Sequence, residues 1–306
     1  MLEVENIDFS YDREILYNIS FSMKKGQFLG IVGKSGGGKS SLLKIIGGYL
    51  TPTAGEVHFQ GKKMKRPVEM LIPGFEDISI VHQDFGLDLY HTVLENIKQK
   101  ILHLPEKFQI QLMDQMLDLL DLRMVSRQKA IQLSGGEQQR LSIARALVSE
   151  TELILLDEPF VHLDAPMRRN LLSYLQKLKE IRSTSFIIVT HNGDEILGLC
   201  DEAIYMKNGK IKRKTTPNNF YEKPKSIEEA EFFGPVNSIL LNGKRKLFRP
   251  NQYNLEKLET KERLELAFRF SEVNGPLVNN YFQSKRGEEV LLFNLEPMKE
   301  VNCIYV

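Results

Sequence analysis

The run Gly33-Lys34-Ser35-Gly36-Gly37-Gly38-Lys39-Ser40 limits the possible folds of this chain more than any other stretch. It fits the pattern G-x-x-x-x-G-K-[ST]. It follows the β-rich run Phe28–Val32 and precedes apolar residues at helical spacing, Leu42, Leu43, Ile45 and Ile46. A strand that enters a glycine-rich loop and leaves it as a helix is a phosphate-binding turn. The glycines let backbone N–H groups wrap an anion without Cβ clashes, and the helix start adds the positive end of its dipole. On this reading Lys39 reaches the β- and γ-phosphates of a nucleotide and the Ser40 hydroxyl ligates Mg²⁺. Gly33, Lys34, Ser35, Gly36, Gly37, Gly38 and Ser41 complete the nucleotide-binding set.

A second anion site is expected in Leu133-Ser134-Gly135-Gly136-Glu137-Gln138-Gln139-Arg140. Ser134 and Glu137 form a Ser-x-x-Glu capping box, which any helix may use. The paired glycines and the phosphate loop upstream give it a further meaning, because a helix start offers unpaired N–H groups to an anion. Two phosphate sites in one modest domain predict one nucleotide held from two sides, by two copies of the chain.

Around these loops the pattern is α/β. Leu153–Leu156 and Phe186–Val189 join Phe28–Val32 as buried parallel strands. Helices are expected after Lys39, Gly136 and Pro166, the last with Leu171, Leu175, Leu178 and Ile181 on one face. Residues from about 86 to 150 read as a purely helical subdomain inserted in the α/β core. There, Phe108, Leu112, Met116 and Leu119 make an apolar stripe. After Pro224 the character changes. Residues 236–306 alternate short β-like runs, such as Val290–Phe293 and Cys303–Val306, with the turns Asn242-Gly243, Asn274-Gly275 and Arg286-Gly287, predicting a small β domain.

Leu153-Ile154-Leu155-Leu156-Asp157-Glu158-Pro159 is an apolar strand that ends in two carboxylates. Asp157 is expected to hold Mg²⁺ through water, and Glu158, pointing the other way, to polarise the attacking water. His191 follows the strand Phe186–Val189, at the sheet edge where ligands bind in such folds, and is placed to contact the γ-phosphate. Gln83, ahead of the helical segment, is a candidate for Mg²⁺ or the attacking water. Tyr11, in Phe9-Ser10-Tyr11-Asp12, is a candidate to stack on adenine.

With 306 residues the chain can hold two domains and a sizeable core. Its net charge of +1 gives no sign of a nucleic-acid or anionic-lipid surface. Cys200 and Cys303 are too few for a disulfide framework, which points to a reducing compartment. No apolar run approaches the roughly 20 residues of a membrane helix, and Met1-Leu2-Glu3-Val4-Glu5 lacks signal-peptide character. The expectation is a soluble cytoplasmic protein that reaches any membrane through a partner.

The order of these motifs resembles the ATP-binding subunit of an ABC transporter. The likeness runs over residues 1–225. Tyr11 matches the A-loop, residues 33–40 Walker A, Gln83 the Q-loop, and Leu133–Arg140 the signature. Leu153–Glu158 match Walker B, Val161–Asp164 the D-loop and His191 the switch histidine. The resemblance implies a P-loop NTPase cassette that works as a head-to-tail homodimer with two ATP molecules in the seam. Each ATP would lie on one copy's Walker A, beneath the other copy's Ser134-Gly135-Gly136. Catalysis would rest on Glu158, His191, Gln83 and Lys39, with Mg²⁺ held by Ser40, Gln83 and Asp157. A groove near Gln83, beside Asp84–Asn96, would receive a transmembrane permease, placing the chain on the inner face of the cell membrane and linking it indirectly to a substrate-binding protein. One departure is Val161-His162 where the D-loop usually has Ser-Ala; Asp164 is kept, so the loop should keep its fold.

Glu231–Asn237 and Phe248-Arg249-Pro250 resemble the entry and the Arg-Pro turn of an OB-like TOBE domain, here 236–306. This domain is either a dimerising cap or an effector site. The resemblance then implies an importer of the group that handles ferric iron, polyamines, sulfate, molybdate, phosphonates or sugars, leaning towards ferric iron or polyamine as cargo. The alternatives are an exporter ATPase, against which the β tail argues, and a soluble non-transport ABC protein. The latter would place coiled coils or zinc modules between Ser40 and Leu133, where this chain has one compact helical segment.

Overall fold

The apolar runs do become strands buried on both faces. A computed structural model describes residues 1–81, 86–257 and 261–306. They divide into two compact units, Met1–Pro217 and Asn218–Val306.

The first unit opens with β1 (Leu2–Ser10) and β2 (Glu14–Met23), followed by β3 (Phe28–Val32) and α1 (Lys39–Ile46). β4 (Ala54–Phe59), β5 (Lys62–Lys63) and β6 (Ile78–Val81) come next. A helical stretch then holds α2 (Val93–Lys98), α3 (Glu106–Leu119) and α4 (Gly135–Val148). β7 (Leu153–Asp157), α5 (Ala165–Arg182), β8 (Ser185–Thr190), β9 (Glu202–Lys207) and β10 (Lys210–Thr215) close the unit.

The central six-stranded sheet has the order β10-β9-β3-β8-β7-β6. Its pairs are parallel except for the β9–β10 hairpin. An antiparallel sheet, β2-β1-β4-β5, lies alongside. Alternation along the parallel strands divides the packing. Leu29, Ile31, Leu155 and Val189 share a core with Val4, Ile19, Leu42 and Ile46 from β1, β2 and α1. On the opposite face Phe28 stacks on Phe186 at 4.5 Å, with Lys179 of α5 over the Phe28 ring. Both faces are therefore covered, which explains why the strands read as continuous apolar runs rather than alternating ones.

The starts of α2, α4 and α5 follow side-chain caps. Thr92 and Glu95 form a capping box at α2, Ser134 and Glu137 one at α4, and the Asp164 carboxylate accepts from Met167 N–H at α5. Two helical faces differ from expectation. In α3 the buried residues are Gln109, Met116 and Leu117, while Phe108 is exposed. The Gln109 amide donates to the carbonyls of Leu104 (2.8 Å) and Leu102 (3.3 Å), so satisfying these backbone groups turns Phe108 outward. In α5, Leu171, Tyr174, Leu175 and Leu178 are buried, but Ile181 is 79% exposed. Ile181 lies about 20° from Tyr174 in projection, so periodicity puts it on the buried face; it stands in the last turn, one residue before the helix ends at Arg182.

The second unit begins with α6 (Pro217–Glu222) at the division, then α7 (Ile227–Glu231). Its strands are β11 (Asn237–Leu241), β12 (Lys244–Phe248), β13 (Arg263–Asn274), β14 (Leu277–Ser284), β15 (Glu289–Asn294) and β16 (Cys303–Tyr305). β11 and β12 form one antiparallel hairpin and β15-β14-β13-β16 a four-stranded sheet. Asn242-Gly243 and Gly275-Pro276 make the two-residue turns of two hairpins; Asn274, expected in the turn, instead closes β13 by pairing with Leu277. The unit has its own core around Ile239, Phe248, Leu266, Phe282, Leu292 and Ile304. Arg249 is only 1% exposed. Its guanidinium donates to the carbonyls of Tyr221 (2.8 Å), Ala230 (3.1 Å), Gly234 (2.8 Å) and Pro235 (3.1 Å) and lies over the Tyr221 ring. It staples the helical lead-in of this unit to its strands.

Candidate functional site

The site forms at the carboxyl edge of the parallel sheet, where β3, β8 and β7 lie side by side. β3 delivers Gly33, which must be glycine because a Cβ there would lie 2.2 Å from the carbonyl oxygen of Met206 on β9. The loop turns at Gly37, whose N–H donates to Lys34 O at 3.2 Å. It enters α1 through Gly38 at φ +87°, where a Cβ would strike Leu16 Cδ2 at 2.5 Å. Lys34, Ser35 and Gly36 form the exposed crown of the loop.

Lys39 is 5% exposed and curls under that crown. Its Nζ donates to Gly33 O (2.7 Å) and Lys34 O (3.0 Å). Burial pulls its pKa down, while the carboxylates of Glu158 and Asp157 push it back up. The ammonium therefore sits where two acids and the loop converge.

Asp157 ends β7 and is 6% exposed. Burial raises its pKa, against a hydrogen bond from Ser40 that lowers it. Its Oδ1 is buried without a hydrogen-bond partner. Glu158 follows in a left-handed conformation, φ +49°, rare for a non-glycine residue and costing on the order of 1–3 kcal/mol. The backbone around it is tied on both sides: its N–H donates to Val189 O at 2.9 Å, and its carbonyl accepts from Gln139 Nε2 at 2.9 Å. The reversed backbone brings its carboxylate to His191, with Nδ1 to Oε2 at 3.1 Å.

His191 follows β8 and is shaped by the turn behind it. The Thr190 hydroxyl meets Glu195 Oε2 at 2.5 Å and accepts from Asn192 N–H at 3.0 Å. Burial raises the Glu195 pKa, against the Thr190 bond and the charge of Arg168.

The structure thus brings Lys39, Ser40, Asp157, Glu158 and His191 together. Tyr11 is 62% exposed and packs edge-on to Phe9 at 4.8 Å, in the β1–β2 connection. Beyond that connection β2 runs past the phosphate loop at Ile15 and Leu16. Ser134, Gly135 and Gly136 open α4, with Ser134 and Gly135 exposed and nothing within 4 Å of a Cβ built on Gly135. The Gln83 expectation falls outside the described residues. Sequence reasoning missed Gln139, whose amide reaches both Glu158 O and His162 Nδ1, and Glu195 behind His191. Gln139 lies within Leu133–Arg140, and only tertiary placement reveals what it touches.

The phosphate loop, the acid-terminated strand and the histidine-bearing strand end define an ATP-binding cassette of α/β type. The family model for ABC transporters matches residues 16–161, and the chain belongs to that family. It is 36% identical over 242 residues to the spermidine/putrescine import ATP-binding protein PotA of Clostridium novyi, covering 78% of this chain and 69% of that protein. The PotA protein of Thermotoga maritima is 36% identical over 239 residues, covering 77% of this chain and 64% of that protein. The matched stretch thus spans about two thirds of these relatives. Among solved structures, the chain resembles the dimeric post-hydrolysis state of the ATP-binding cassette MJ0796 bound to ADP and Pi. The TM-score is 0.63 at 29% identity, covering 71% of this chain and 99% of that one. A second dimeric structure of MJ0796, described as a bacterial ABC transporter cassette, matches with a TM-score of 0.64, also at 29% identity and the same coverage.

Proposed function

We propose that this chain is the ATP-hydrolysing subunit of a membrane importer, acting as a head-to-tail pair of copies with two ATP molecules in the seam. Residues 1–225 are then the cassette, a boundary that runs slightly past the division at Pro217, with about 86–150 its helical subdomain and 236–306 a TOBE-like β domain. The observation that carries it is the Glu158–His191 pair, set beside Lys39 under the phosphate loop.

Gly33–Ser40 wrap the phosphates with backbone N–H groups. Lys39 exchanges its two loop carbonyls for β- and γ-phosphate oxygens, whose negative charge offsets the burial of its ammonium. Tyr11 offers an exposed ring to adenine. A Mg²⁺ ion fits the chemistry on the other side, where Asp157 has an orphaned buried oxygen next to the Ser40 hydroxyl. When bound, it would neutralise charge on the β- and γ-phosphates. Gln83 is the further ligand the motif order proposes.

Glu158 takes a proton from a water as its oxygen attacks the γ-phosphorus; the bond to the β-phosphate oxygen breaks, and ADP and phosphate result. His191 orients Glu158 and the γ-phosphate. Ser134, Gly135 and Gly136 supply N–H groups to the nucleotide of the partner copy. Support for pairing comes from the dimeric form of the related cassette.

The relatives' names support import, with polyamine favoured over ferric iron as cargo. No helix among the described residues is long and apolar enough to cross a membrane. The proposal therefore places the chain on the inner face of the membrane through permease subunits, and only indirectly with a substrate-binding protein. Ser134→Arg tests the shared site. It should abolish hydrolysis yet leave ATP binding by a single subunit nearly intact. A binding loss equal to that of Lys39→Ala would place Ser134 in its own subunit's site and contradict the pairing.

A further inference from the structure

We propose that Gln139 is a positioning residue that couples the half-site at the start of α4 to Glu158 of the same chain. The inference rests on the ATP-sandwich reading above and adds a route by which one site senses the other.

The geometry fixes every atom of the link. The Glu158 carbonyl can only accept, so the Gln139 amide nitrogen must face it, at 2.9 Å. This turns Gln139 Oε1 towards His162, and an oxygen facing His162 Nδ1 at 2.9 Å requires that nitrogen to carry the proton. Gln139 is 6% exposed, which leaves its amide little access to water as an alternative partner.

Three parts of the site meet on this one side chain. The first is α4, whose first turn holds Ser134, Gly135 and Gly136. The second is the backbone of Glu158, held at φ +49°. The third is the loop leading to α5, where His162 sits at φ +65° and lies against the same helix start, its Cβ 3.6 Å from a Cβ built on Gly136. Two non-glycine residues in left-handed backbone are thus pinned by a single amide. Such conformations persist only where surrounding contacts hold them. A shift of α4 as its first turn closes on a partner's phosphates therefore pulls on the Glu158 carbonyl and re-aims the carboxylate at its own site. His162, standing where a small residue is usual, gives this chain a second anchor for the same amide.

The full chain tests this with Gln139→Glu, which keeps the shape but has no donor for the Glu158 carbonyl, and Gln139→Met, which keeps the volume but has neither donor nor oxygen. Hydrolysis is measured as kcat, KM and the Hill coefficient for ATP. ATP-dependent dimerisation is measured with Glu158→Gln alone and combined with Gln139→Met. Both Gln139 variants should lower kcat about 10–100-fold, the scale of a roughly 1 Å misplacement of a reacting group. KM should hold steady, the Hill coefficient should fall towards one, and the combined variant should still dimerise. Unchanged kcat and cooperativity would overturn the coupling. So would a fall in kcat matched by loss of dimerisation in the combined variant, which would make Gln139 a prop for the half-site alone. If Glu158→Gln alone fails to dimerise with ATP, the sandwich reading falls and the coupling with it.

Discussion

His191 Nδ1 lies 3.1 Å from Glu158 Oε2, and the two residues come from neighbouring strands, β8 and β7. A carboxylate facing that nitrogen means that Nδ1 carries the proton. The ring thereby fixes the direction of the Glu158 carboxylate, which the left-handed backbone has already turned out of the strand. The pair has the geometry of a base held in place by an orienting group.

His191→Ala should lower kcat on the order of 10²-fold, the scale of a roughly 1 Å misplacement of the base it orients. ATP affinity should change little, because the proposed mode of binding rests on Lys39 and the loop N–H groups. Steady-state kinetics beside equilibrium nucleotide binding checks this. A parallel loss of affinity would make His191 a binding group.

Asp157 makes a stability prediction with a definite sign. Burial sets its folded pKa above the ordinary 3.8. The folded chain thus holds that proton more tightly than the unfolded chain, which favours folding at acid pH. The contribution is lost as pH rises through the raised value, and at neutral pH the buried carboxylate opposes folding. Asp157→Asn should therefore raise the thermal midpoint of the nucleotide-free chain at neutral pH. The same change should weaken Mg²⁺ affinity in the presence of ATP about 10–100-fold, as for a group acting through a metal-bound water. Thermal melts and Mg²⁺ titrations read the two effects separately.

The α4 cap predicts a smaller effect. Ser134 bonds Glu137 Oε2 through its hydroxyl (2.7 Å) and its N–H (2.8 Å), and these hold the Glu137 pKa below 4.5. Ser134→Ala should cost about 1 kcal/mol in urea denaturation, the usual value of a helix cap. The stabilisation from ionised Glu137 is present above its ordinary pKa and lost as pH falls through the depressed folded value, so the difference from the wild-type chain should narrow there.

In the second unit, Arg249→Met should destabilise strongly, by about 3–5 kcal/mol, because several buried carbonyls lose their donor at roughly 1–3 kcal/mol for each group left unsatisfied. It strips the carbonyls of Tyr221, Ala230, Gly234 and Pro235 of their donor. Limited proteolysis should cut Asn218–Val306 faster while residues 1–217 stay protected. Equal protection of both variants would contradict the staple.

The phosphate loop, the acid-ended strand and the Ser-Gly-Gly helix start were legible in the sequence because their chemistry demands particular residues at fixed local spacing. The parallel strands were legible because burial on both faces leaves no polar alternation. The α3 face was misread since periodicity counts apolar side chains and ignores the Leu102 and Leu104 carbonyls that draw Gln109 inward. Ile181 shares the projected face of Tyr174 but stands in the last turn of α5, a position that periodicity does not weigh. Arg249 was recognised only as part of a turn, and its four carbonyl partners depend on tertiary folding. The links from Gln139 to Glu158 and His162 cross elements distant in sequence, which no local pattern encodes.

The central claim is that the active site is completed by a second chain. Its most direct test is the association state of Glu158→Gln, followed by sedimentation with and without ATP. The account predicts that this variant binds ATP, does not turn it over, and becomes a dimer only when ATP is present. A Glu158→Gln chain that stays monomeric in saturating ATP and hydrolyses it at the normal rate would contradict it.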